Sequence, residues 1–114
     1  MNYGRIAPRS RNGTTGLSEE KDLQAGEAVW ISPPDRVAAI TVAVHITSDT
    51  GKYTIECCCN RADIIGSDGN GGHWDVLDEG IPEYIDDRVY MLANAVTGIR
   101  IRCIEGTVNV CFVG

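Results

Sequence analysis

Two alternating runs close the chain, and they limit its architecture more than any other feature. Ile99 to Ile104 reads Ile-Arg-Ile-Arg-Cys-Ile, Thr107 to Val113 reads Thr-Val-Asn-Val-Cys-Phe-Val, and only Glu105-Gly106 separates them. Side chains that alternate with a period of two belong to strands, because successive Cβ atoms point to opposite faces of a sheet. A short glycine-containing break between two such runs reads as a β-hairpin. Ile99, Ile101, Cys103, Val108, Val110 and Phe112 would then form one buried face.

The same signal recurs upstream. Glu27 to Ile31 reads as a short strand, ended by Ser32-Pro33-Pro34-Asp35 because proline cannot donate to a ladder. Val37 to Ile46 is the strongest strand, with Ile40, Val42, Val44 and Ile46 on one face and Thr41, Ala43 and His45 on the other. Ser48-Asp49-Thr50-Gly51 turns the chain, and Lys52 to Cys59 follows, so these two strands also read as a hairpin. His73 to Leu77 and Arg88 to Ala93 are further strands; in the latter Val89 and Met91 oppose Tyr90 and Leu92. About seven strands result, at spacings of roughly ten residues. No stretch repeats apolar residues at helical spacing over a dozen positions. The expectation is an all-β chain, an antiparallel β-sandwich with the jelly roll among its forms. With 114 residues it makes one domain.

Residues 1–25 break the pattern. They are rich in Gly, Ser, Thr, Asn and Arg and show no sustained apolar period, which predicts a flexible N-terminal arm before a β-sandwich domain at 26–114. Leu17 to Leu23 has the makings of one helical turn, too short to stand alone. Charge divides the same way. Residues 1–16 hold Arg5, Arg9 and Arg11 and no acid, so the remainder carries all sixteen acidic residues against seven basic ones within an overall charge of −6. An acidic body repels nucleic acid. A basic arm on it suits docking onto another copy or an acidic partner. The N-terminus has no apolar signal-peptide core and no run approaches the ~20 apolar residues of a membrane helix, so the expected site of synthesis and assembly is the cytosol, away from membranes.

The five cysteines are expected as reduced, small core hydrophobes. Cys57, Cys58 and Cys59 are consecutive and cannot all pair with one another, and their spacing does not match a zinc site. The segment Gly66-Ser67-Asp68-Gly69-Asn70-Gly71-Gly72 reads as an exposed, mobile loop. It lacks the P-loop pattern, and as a calcium loop it places His73 where the sharp turn needs glycine. The acidic run Asp75, Asp78, Glu79, Glu83, Asp86 and Asp87 contains enough carboxylates for glycoside chemistry, but nothing places them in a cleft; a solvated docking loop fits better. His45 and His73 have no nucleophile in a recognisable motif beside them. No catalytic residue, metal ligand or cofactor is expected. The partner-binding candidates are Arg5, Arg9 and Arg11 of the arm, Trp74 beside the glycine loop, and Asp78 and Glu79 of the acidic loop. Trp30 or Trp74 with the 66–79 loop would alternatively serve a carbohydrate or other surface ligand.

One resemblance bears on function. Ala95-Val96-Thr97-Gly98-Ile99-Arg100-Ile101-Arg102 followed by Glu105-Gly106-Thr107-Val108-Asn109-Val110 resembles the closing hairpin of small virion proteins of tailed bacteriophages, in which a Thr-x-Ile-Arg strand precedes a Gly-Thr-Val strand. The resemblance covers roughly twenty residues. It implies a non-enzymatic β-sandwich or jelly-roll module that decorates or cements a capsid, or serves as a head-tail or tail accessory. It also implies a homo-oligomer, a trimer foremost, that binds the major capsid protein or other virion proteins within a virion assembled in the host cytoplasm.

Overall fold

A computed structural model of the chain describes residues 2–7, 17–33, 39–92 and 96–114. Within them the strands are β1 (Gly4–Ile6), β2 (Ser18–Gln24), β3 (Ala28–Ile31), β4 (Ile40–Ile46), β5 (Lys52–Cys58), β6 (Asp75–Val76), β7 (Arg88–Leu92), β8 (Gly98–Glu105) and β9 (Thr107–Val113). One helical turn, α1 (Ala62–Ile65), follows β5. Two sheets form, ordered β1-β3-β8-β5-β6 and β2-β9-β4-β7. All pairings are antiparallel except β1 with β3. The pairs nest: β5 lies beside β6, β4 beside β7, β3 beside β8 and β2 beside β9. A long antiparallel hairpin rolled across two sheets gives this order, and contacts β5–β8 and β4–β9 close the roll. The fold is a β-sandwich with jelly-roll strand order, and β1 is an added edge strand.

The core lies between the sheets. Ile40, Val42 and Val44 of β4 and Val108, Val110 and Phe112 of β9 face Tyr53 and Ile55 of β5 and Ile99, Ile101 and Cys103 of β8. Those in β4, β8 and β9 are the alternate positions read from the sequence, and all of these side chains are buried. Burying such side chains contributes about 1.5–3 kcal/mol each before chain entropy is counted.

Neither expected hairpin forms. β8 and β9 lie in opposite sheets, as do β4 and β5. Alternation fixes which side chains face the core, but a strand that folds back beside its predecessor and one that arches over to the other sheet bury the same positions. Turn geometry decides between them. Two-residue hairpins of type I′ need positive φ at both turn residues. Of Glu105 and Gly106 only Gly106 (φ 71°) has it, and no non-glycine residue does among the described residues. The two arches stack at one end of the sandwich. The Thr47 amide donates to the Thr107 carbonyl at 2.9 Å, the Thr107 amide donates to Ser48 Oγ at 3.0 Å, and the two threonine hydroxyls meet at 2.8 Å. A Cβ on Gly106 would come closer to the Thr50 carbonyl oxygen than the 3.0 Å that real Cβ atoms keep.

The expected arm over residues 1–25 is also corrected where it is described. Ser18–Gln24 pairs along the whole of β9, from Ser18 opposite Val113 to Gln24 opposite Thr107. Leu17 and Gly114 exchange both backbone hydrogen bonds, at 2.7 and 2.9 Å. The helical turn predicted for Leu17–Leu23 is therefore a strand. Its apolar anchors are only Leu17 and Leu23, and the charged residues between them hide the period. Gly4–Ile6 pairs with Val29–Ile31. Arg9 and Arg11 lie outside the described residues. The strand expected at His73–Leu77 is confined to Asp75–Val76.

Candidate interaction surface

The two outer faces of the sandwich differ. That of the β1-β3-β8-β5-β6 sheet is roofed by the segment from Asn60 to Trp74. Cys58, Trp30, Ala28, Tyr3 and Ile65 form a second small core beneath it, with Trp74 packed at its margin. The glycine-rich loop is pinned rather than mobile. The Tyr3 amide donates to Asp68 O at 2.9 Å, Arg100 Nη1 to Gly69 O at 2.9 Å, and the indole N–H groups of Trp30 and Trp74 to Ser67 O and Gly71 O at 3.3 and 2.8 Å. Gly69 has φ 74°, and a Cβ there would sit 2.8 Å from Trp30 Cδ1. The loop needs glycine because it lies against an aromatic ring. Asp68 accepts the Asn70 amide at 3.1 Å, which holds its carboxyl below the ordinary range. Arg100 stands between the rings of Trp74 (4.4 Å) and Tyr3 (4.7 Å), and its Nε donates to Glu56 Oε1 at 2.9 Å.

This arrangement settles several candidates individually. Trp30 is buried beneath the loop and presents no ring to a ligand. Trp74 is half-buried, with its N–H bonded to Gly71 and one side against Arg100. Arg5 is exposed, its guanidinium 5.1 Å over the Trp30 ring. The Asp78 carboxylate accepts from the Tyr90 hydroxyl at 3.4 Å, and Glu79 is exposed. These residues do not converge on one site.

The acidic loop is anchored too. Tyr84 and Tyr53 exchange backbone hydrogen bonds, their rings stack at 5.3 Å, and the Tyr53 hydroxyl donates to Asp86 O at 2.6 Å. Burial, with the Asp86 carboxylate nearby, holds the Tyr53 phenol above its ordinary range. Asp87 accepts the Ile46 amide at 2.8 Å, and that bond, helped by His45, lowers its carboxyl.

The outer face of the β2-β9-β4-β7 sheet has no such roof among the described residues, and it is split. On the β2 side Asn109 Nδ2 donates to Glu20 Oε1 and Asp22 Oδ1, both at 2.8 Å. On the β7 side the register aligns two apolar rows: Val113, Thr41 and Met91 in one, Cys111, Ala43 and Val89 in the next. Met91 is 80% exposed, Val89 61% and Val113 51%. None of the three was a sequence candidate. The available signal was that β7 is apolar on both faces, whereas an antiparallel strand with one wet face alternates.

An open groove of about 320 Å³ lies on the other sheet, beside Tyr3, Thr54, Glu56, Glu83, Arg100 and Arg102. Glu56 is committed to Arg100 and Glu83 lies 3.7 Å from Lys52 Nζ. The buried Arg102 Nε has no hydrogen-bond partner among the described residues. No group of three or more His, Cys, Asp or Glu suited to holding a metal occurs among the described residues.

Comparison with models of protein families, with curated proteins and with solved structures gives no match.

Proposed function

We propose that this chain is a structural assembly module: a virion protein that binds a capsid lattice and copies of itself as a decoration or cement protein. The observation that carries the reading is the apolar half of the bare sheet, where Met91, Val89 and Val113 stand exposed in register beside Ala43 and Thr41. Solvent-facing apolar side chains that gather into one patch with a polar rim mark contact surfaces. The adjoining Glu20, Asn109 and Asp22 supply such a rim. The virion assignment itself rests on the sequence resemblance of the terminal segment, whose two strands lie in opposite sheets rather than in a hairpin, and the jelly roll is an architecture that capsid proteins use. A head-tail or tail accessory role would use the same surface.

The reading is tested on particles purified through a density gradient from an infection by the virus that encodes the chain. Its peptides should appear in fixed ratio to the major capsid protein. Their absence from particles, with the chain abundant in the lysate, would overturn the assignment.

A second reading has one observation in its favour. The groove beside Thr54 and Arg102 offers a hydroxyl and a guanidinium N–H with no partner among the described residues, a combination suited to a carbohydrate or other polar surface ligand. Glycan-array binding that Arg102→Met abolishes would favour it, and a blank array would remove it.

A further inference from the structure

A sandwich has four edge strands, and each exposes a row of backbone N–H and C=O groups able to pair with another chain. Proteins protect such edges with short strands, charged side chains, prolines or bulges. Three of the four edges here are protected. β1 has three residues and β6 has two. β2 carries Glu19, Glu20, Lys21 and Asp22 in succession. β7 is different. It has five residues, Arg-Val-Tyr-Met-Leu, with no proline, lysine or carboxylate, and its pairing with β4 has no bulge. Its only charge, Arg88, is held by Asp86 at 2.8 Å and lies over the Tyr84 ring. Among the described residues, no backbone group outside β4 bonds to Arg88–Leu92.

We infer that β7 is the edge at which two copies of this chain join, pairing antiparallel about Tyr90 so that two four-stranded sheets become one of eight. This rests on the reading above that the β7 side is an assembly surface, but not on what the joined copies then bind.

Self-complementarity selects a second copy as the occupant. With Tyr90 opposite Tyr90, Val89 of each chain faces Met91 of the other on the outer face, and such apolar cross-strand pairs stabilise a sheet. Arg88 falls opposite Leu92, so no like charges meet along the strand. This matters because two copies of net charge −6 repel, and their contact has to form where charge is least. The apolar rows of β4 and β9 would then continue across the two-fold axis as one uncharged strip. Antiparallel pairing of a strand with its own copy is isologous and closes at two. The unit is therefore a dimer, in contrast to the trimer that the phage resemblance implies. A strand pair of this length buries an area at the low end for specific interfaces, so association in the micromolar range is expected.

Sedimentation equilibrium of the full chain across micromolar concentrations, at low and high salt, tests this. The expected result is a monomer–dimer equilibrium that tightens as salt screens the repulsion. Val89→Lys and Met91→Lys, each placing a charge on the exposed face of the edge, should weaken dimerisation at least tenfold with circular dichroism unchanged. Ser18→Lys, on the protected β2 edge, should leave it intact. Hydrogen exchange supplies a readout independent of substitution: backbone amides of residues 88–92 should slow as concentration rises. A monomer throughout, a trimer, or a dimer indifferent to both lysines would each overturn the inference. Such a result leaves particle binding to be judged on the gradient-purified particles, so the two readings can fail separately.

Discussion

Gly106→Ala probes the stacked arches. Gly106 and Gly26 both have positive φ, 71° and 89°, so alanine at either is forced into the left-handed region. That costs about 1–2 kcal/mol, offset by about 0.4–1 kcal/mol because alanine restricts the unfolded chain. At Gly26 nothing lies within 4 Å of the added Cβ, and the net loss should be about 1 kcal/mol. At Gly106 the Cβ would also overlap the Thr50 carbonyl and Ser48 Oγ of the neighbouring arch. Backbone cannot swing aside as a side-chain tip does, so an overpacking term of about 1–3 kcal/mol is added. The expected difference between the variants is about 2 kcal/mol, or roughly 1 M in the urea midpoint. Tryptophan fluorescence follows the unfolding, since Trp30 is 1% exposed in the native state. Equal midpoints for the two variants would refute the stacking, because a simple β8–β9 hairpin would keep Thr50 away from Gly106.

Three further outcomes are expected. Arg100→Ala should cost about 2–3 kcal/mol, because it empties the space between Tyr3 and Trp74 and leaves Glu56 without its partner; Arg100→Lys should recover only part of this, and full recovery would contradict the planar stacking. Asp87 has a lowered carboxyl in the fold, so its stabilisation is present above the ordinary carboxylate range near 3.9 and is lost as pH falls through the folded value; Asp87→Asn should flatten thermal stability between about pH 5 and 3, and an unchanged acid slope would contradict the assigned bond to Ile46. Thiol labelling of the native protein should modify the exposed Cys59 first, with Cys57 and Cys111 slow because burial raises their thiols and Cys58 and Cys103 reacting only on unfolding; rapid native labelling of Cys103 would place β8 wrongly.

The faces of β4, β8 and β9 were legible because each strand touches the core on one side, and a period of two is the direct trace of that. The partner of each strand was not, since an arch and a hairpin bury the same alternate residues and differ only in the turn. β2 was hidden for a different reason: its charges guard an edge, and it is placed by backbone bonds to β9 with two apolar anchors, Leu17 and Leu23, too few to show a period. The glycine loop looked mobile by composition. Gly69 instead makes room for Trp30, a contact between residues distant in sequence. Arg5 and the acidic loop drew notice through charge, yet Arg5 lies over Trp30, and Glu83, Asp86 and Asp87 face Lys52, Arg88 and His45 of the same chain. The exposed patch centres on Met91 and Val89, where the one visible clue was a strand apolar on both sides.

The β7 side of the bare sheet is proposed as the surface through which the chain assembles into a particle. The most direct measurement is the amount of Met91→Lys chain, relative to wild type, in gradient-purified particles. Wild type should appear at constant ratio to the capsid protein, and the variant should be depleted at least tenfold while its thermal midpoint is unchanged. Equal retention of a folded Met91→Lys chain would contradict it.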